Sequence, residues 1–317
     1  MNAVIEKKSQ KLLVAATLAA AIHTSTAVAG SCDTVRFADV GWTDITATTA
    51  VASVVLEGMG YTPKTQLLSV PVTYKSLANN DLDVFLGNWM PTMQADIAPY
   101  LADKTVDDLG PNLTGAKYTL AVPKYVYDAG VKSFADIAKF ADKFDNRIYG
   151  IEPGNDGNRL ILDMIEKDAF GLKKFDLVES SEAGMLSQVQ RAAKRENWVV
   201  FLGWAPHPMN ANIEMAYLDG GDDFFGPNYG GADVHTNVRA GYLEKCTNVG
   251  QLLTNLKFSL EMENEVMGAI LNDGTKPNAA ATNWLKDNPA VLDSWLAGVT
   301  TKDGAPALAA VKKHLDI

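Results

Sequence analysis

Four aromatic side chains fall where an apolar run gives way to a loop or opens an extended stretch. Trp42 follows TVRFADVG (34–41), Trp89 lies in VFLGNWMPTM (84–93), Trp204 in VFLGWAPHPM (200–209), and Tyr118 near the start of AKYTLAVPKYV (116–126). Aromatic faces that converge attract a cation lacking hydrogen-bond donors, such as a quaternary ammonium, because the ring quadrupole is negative over its face. A desolvated contact of this kind is worth about 2 kcal/mol or more, and several such contacts do not simply add. Taken singly, each ring would be at home in a core. Four at corresponding strand edges point instead to a shared cage.

Two polar residues stand beside these rings, Asp44 and Asn155. Both also occupy positions where a helix cap would be expected. If they face the cage, Asp44 sets the ligand class. A carboxylate repels the carboxylate of glycine betaine but accepts a hydrogen bond from an alcohol, which favours choline.

Signals for turnover are poor. The chain has no G-x-S-x-G elbow and no Walker A loop. His23, His207, His235 and His314 stand at no metal-ligand spacing with one another or with a cysteine. No metal, cofactor or catalytic residue is therefore expected. The stretch GGDDFFGPNYGGAD (220–233) is acidic, but its spacing fits no calcium loop, and it reads as a solvated loop.

The elements that would position these residues alternate between strand and helix. VFLG occurs twice, each time too short for a buried helix and ended by Gly, which reads as a buried strand. VRFADVGWTD (35–44) and RIYGIEPGND (147–156) form a fainter second pair of strands opening into polar loops. Helical spacing follows over 45–60, 133–144, 159–170 and 181–196, with further helices over 251–287 and 289–299. Asp107–Asn112 reads as a turn-rich loop. Residues 116–126 read as a crossing from a first lobe to a second, and 213–221 as the return crossing. The expected fold is α/β, with two lobes that each hold a sheet flanked by helices, two crossover strands and a cleft between. The first lobe takes 30–116 and 212–317, the second 117–211.

Residues 1–29 are read apart from the fold. Lys7, Lys8 and Lys11 precede the apolar run LLVAATLAAAI (12–22), and Ala27 and Ala29 form an A-x-A arrangement. That is the pattern of a secretory signal peptide cleaved after Ala29. The apolar run is shorter than the roughly 20 residues that span a bilayer. The formal net charge of the whole chain is −10, and removing the lysine-rich leader makes it more acidic still. Such a balance excludes nucleic-acid binding by bulk charge. The two cysteines, Cys32 and Cys246, favour a disulfide in an exported protein, with two free thiols as the alternative.

Over nearly the whole of the segment after residue 29, the sequence resembles substrate-binding proteins of the choline and glycine betaine ABC importers. The resemblance is carried by VGWTD (40–44), FLGNWMPTM (85–93), AKYTLAVPKYV (116–126), GIEPGND (150–156), LGWAPHPMN (202–210) and GADVHTNVRAGYLEKC (231–246). It implies a type II periplasmic binding protein fold that closes on its ligand. It also implies an aromatic box of Trp42, Trp89, Tyr118 and Trp204, with Asp44 and Asn155 on the choline hydroxyl. A Cys32–Cys246 disulfide, a periplasmic location, a monomeric state and an inner-membrane ABC permease as partner come with it. Relatives with similar boxes bind betaine or other trimethylammonium compounds, so a glycine betaine or carnitine receptor is the alternative. An exported choline-ester hydrolase is the more distant one.

Overall fold

The structure is a computed structural model, and it describes residues 32–317. The signal peptide expected over 1–29 lies outside those residues. Among the described residues no helix is long and apolar enough to cross a membrane.

Nine strands build one sheet: β1 (Thr34–Asp39), β2 (Thr62–Leu67), β3 (Val84–Met90), β4 (Val106–Pro123), β5 (Arg147–Tyr149), β6 (Asp176–Val178), β7 (Phe201–Ala205), β8 (Met215–Tyr217) and β9 (Gly231–Arg239). Their order is β2-β1-β3-β9-β4-β7-β5-β6, with β8 paired to β4. The order is nearly a palindrome. At one end β1 lies between β2 and β3, all parallel, and at the other β5 lies parallel to β6 and β7. Helices connect the parallel strands, as parallel pairing requires. The two VFLG runs supply β3 and β7, which hold matching places in the two halves. Both are almost wholly buried, as short continuous apolar runs should be.

Between the halves run β4 and β9, antiparallel to each other. β4 is 18 residues long and belongs to both halves. Its first part pairs with β9, and Lys117–Ala121 pairs with β7. β4 thus covers most of the segment 116–126 that was read as a crossing, and it begins ten residues before it. Asp107–Asn112 is not a free loop. It joins β4 through register shifts around Gly110 and Pro111, and β9 supplies the backbone partners that the local composition did not suggest.

The return crossing also differs from expectation. β8, within 213–221, pairs with Ala121–Pro123, and Asp219 bridges to Ser133, so this segment stays with the second half. β9 makes the return instead. The loop over 220–233 is less solvated than its composition suggested. Asp222 and Asp223 are exposed, but Phe225 is fully buried and packs edge-on to Tyr118 at 5.8 Å.

Cys32 and Cys246 are joined in a disulfide, with Cα atoms 5.6 Å apart and 214 positions between them in sequence. Asp83 accepts hydrogen bonds from Arg36 Nε and Arg239 Nε, tying β1, the entry to β3 and the end of β9 together.

Candidate ligand-binding site

All six residues singled out from sequence line one cavity, joined by Ile151 and Asp156. The two halves of the sheet contribute from matching strand ends. Trp89 comes from the end of β3 and Trp204 from β7, where it stands directly across from Tyr118 of β4. The Tyr118 ring lies 5.9 Å from that of Trp89 and 6.2 Å from that of Trp204. Trp42 is the residue from which the helix Thr43–Gly58 starts, and Asp44 sits in the first turn of that helix. All four rings are at least 95 % buried.

Buried Trp and Tyr usually find a partner for their polar tip, and here the partners are site residues. Trp89 Nε1 donates to Asp44 Oδ2 at 3.0 Å, and Trp42 Nε1 donates to Glu152 Oε1 at 2.8 Å. Tyr118 Oη donates to Asn155 Oδ1 at 2.9 Å. Asn155 also caps the helix Asp156–Glu166, its Oδ1 accepting from the Asn158 amide at 3.1 Å. Capping and cavity lining, posed as alternatives for Asn155, thus hold together. The close approach of Tyr118 depends on Gly157, where an added Cβ would stand 2.1 Å from the phenol oxygen.

The charged side chains that line the cavity are of one sign, and the positive charge of Arg159 acts on Asp156 from outside the lining. Asp44 and Asp156 line it, Glu152 bonds to one of its rings, and no basic side chain is among the lining residues. Burial pushes the Asp44 carboxyl up to about 7, with the Glu182 charge adding and the Trp89 bond opposing. Burial likewise raises Glu152 to about 7 and Asp156 to about 6. Among the described residues, Asp44 Oδ1 and Asp156 Oδ2 have no hydrogen-bond partner. Leaving a carboxylate oxygen buried without a donor is costly. The arrangement can stabilise a compact cation against the ring faces and accept one hydrogen bond from it at Asp44.

Sequence reasoning missed Glu152, Asp156 and Phe225. The first two flank Asn155 in GIEPGND, so the loop that yielded one residue held the signal for all three. Phe225 lay in a stretch dominated by Gly and Asp, whose composition masked its packing role.

Comparison with known proteins bears on this geometry. A family model described as the substrate-binding domain of an ABC-type glycine betaine transport system matches residues 33–287. The chain is similar to a solved ABC-transporter choline binding protein in complex with choline, at 65% identity and a TM-score of 0.89. That match covers 90% of this chain and 98% of the other. An ABC-transporter choline binding protein in an unliganded, semi-closed conformation is similar at 64% identity and a TM-score of 0.83, over 90% and 99% of the two chains. Lactococcal OpuAC, closed and complexed with glycine betaine, is 29% identical with a TM-score of 0.75, over 83% of this chain and 98% of its own.

Proposed function

The chain belongs to the family of substrate-binding domains of ABC-type glycine betaine transport systems, and from that premise we propose that it captures choline and delivers it to a membrane permease. It is an extracytoplasmic transport protein of the type II two-lobe fold, and not an enzyme. We take the periplasm as its compartment, a leader over 1–29 as its route there, and a monomer as its working state. Our lobes are 30–116 with the chain from β9 onward, and 117–211 extended through 230, because β8 pairs within the second half.

One observation carries the choice of ligand. Among the described residues, four aromatic rings surround a cavity whose carboxyl-bearing lining groups are Asp44 and Asp156, and Asp44 keeps one oxygen without a partner. The trimethylammonium head would be desolvated between Trp42, Trp89, Tyr118 and Trp204. Asp44 would accept the hydroxyl, with Asn155 beside it. Contacts from both lobes to one ligand would favour the closed form, since a ligand shifts an equilibrium by its differential affinity for the two states.

The second reading, a glycine betaine receptor, is favoured by the description of the family itself. A betaine site needs donors or positive charge for the ligand carboxylate, and Asp44 supplies the opposite. Calorimetric titration of the stripped protein with choline, acetylcholine, glycine betaine and carnitine tests both. Tight choline and weak betaine binding is the expected result. Tight betaine binding would keep the cage and remove the role given to Asp44.

A further inference from the structure

The helix Thr43–Gly58 carries two site residues at its start, yet its own sequence provides no cap. Trp42 stands at the N-cap, where Ser, Thr, Asp or Asn would accept from the free amides, and its side chain makes no capping bond. The cap comes instead from 139 positions away. Glu182, the first residue of the helix Glu182–Lys194 in the second half of the molecule, accepts the Thr43 amide at Oε2 (2.9 Å) and the Thr43 hydroxyl at Oε1 (2.5 Å). Its Oε1 also lies 3.2 Å from His207 Nε2. His207 Nδ1 accepts the Met209 amide at 2.9 Å, which leaves the ring proton on Nε2, directed at Glu182. The His207 ring in turn packs edge-on against Trp204, with centroids 5.0 Å apart. Glu182 and His207 are at least 95 % buried.

A single buried chain therefore joins two walls of the cage: Trp42–Thr43, Glu182, His207, Trp204. Thr43 sits between Trp42 and Asp44 in the first half, whereas Glu182 and His207 belong to the second. We propose that Glu182 is a positioning residue that latches the closed form by capping, across the cleft, the helix that presents Trp42 and Asp44. The latch rests on the reading of the cavity as a quaternary ammonium site, but it concerns closure rather than ligand choice. Parting the lobes strips the helix of its cap and loosens both walls at once. A carboxylate on a helix N-terminus is favourable in its own right, so the bond draws the lobes together.

The test compares the wild type with Glu182→Ala, Glu182→Gln and Thr43→Val. Spin labels on Gln66→Cys and Lys167→Cys, exposed positions in the first and second halves, report the lobe separation. The native cysteines are paired and take no label. Glu182→Ala should shift the distance distribution toward longer values, without ligand and with saturating choline. It should release choline about tenfold faster, the low end for a lost hydrogen bond to a charged group. Glu182→Gln keeps an acceptor for the Thr43 amide and should recover part of the effect, and Thr43→Val should show a milder shift in the same direction. Distributions that coincide with the wild type in both states would overturn the latch. So would an equal loss of melting temperature with and without choline, which would make Glu182 an ordinary stabilising residue. A wild type that binds none of the four ligands would sink the proposed function alone, and the ligand-free distributions would still decide the latch.

Discussion

The cavity concentrates aromatic faces and carboxyls while holding no basic lining group, and two consequences follow at the level of single side chains. Trp204 forms one wall, and its ring packs against those of Tyr118 and His207. Trp204→Ala should weaken choline binding about 30-fold or more, the equivalent of one desolvated cation–π contact of about 2 kcal/mol. Calorimetry reads this directly, and a change under threefold would count against the cage. The second consequence is a pH dependence. Asp44 and Glu152, both raised to about 7 chiefly by burial, are partly protonated in the empty cavity near neutrality. A bound cation favours their ionised forms, so binding lowers these pKa values and releases protons. Choline affinity should fall as pH drops from about 8 to about 5. Stability of the empty protein carries the opposite sign from these groups. A carboxyl whose folded pKa is raised contributes most below its unfolded pKa, and that contribution is lost as pH rises through about 7. Asp44→Asn should flatten part of the affinity slope, cost choline binding and narrow the gap to glycine betaine. Titrations across the pH series, in buffers of differing ionisation enthalpy, check all three.

At the scale of elements, the site depends on how closely strand β4 approaches the start of the helix Asp156–Glu166. A Cβ on Gly157 would stand 2.1 Å from Tyr118 Oη and 3.1 Å from Asn155 Oδ1, so Gly157→Ala must displace the ring or the helix. Choline affinity should drop at least tenfold, with a smaller loss of melting temperature, because the displaced atoms line the cavity rather than the core. The same element shows what sequence can and cannot reveal. The repeated VFLG runs and their trailing Trp residues were legible because a short apolar run ended by Gly has few other readings. Their equivalence in the sheet followed from the repetition. The extent of β4 was not legible, since Asp108, Gly110 and Pro111 argue locally for a turn and become strand only because β9 lies beside them. Glu182 was hidden for a related reason. Nothing near it in sequence shows that it caps a helix 139 positions away.

For the whole molecule, the Cys32–Cys246 bond and the central pair β4–β9 divide the work. The disulfide closes a loop of 214 positions, and neither cysteine is among the residues that line the cavity. Replacing both cysteines by serine should cost roughly 2–4 kcal/mol of stability, read by denaturant unfolding, while choline affinity stays within about twofold. A larger loss of affinity would mean that the bond holds the cavity open or shut. The two central strands are the covalent links between the halves, and polar contacts such as those of Glu182 and Glu152 also join them. Arg159 adds one such contact, donating to the Thr92 carbonyl at 2.9 Å and to Asp96 at 2.8 Å. Three of the six tryptophans of the chain stand in the cavity wall, two of them with indole N–H groups bonded to carboxylates whose charge a ligand would alter. The protein therefore carries its own optical probe. Ligand arrival should change the intensity and colour of its ultraviolet emission, so that capture and release can be followed in real time without attaching any dye.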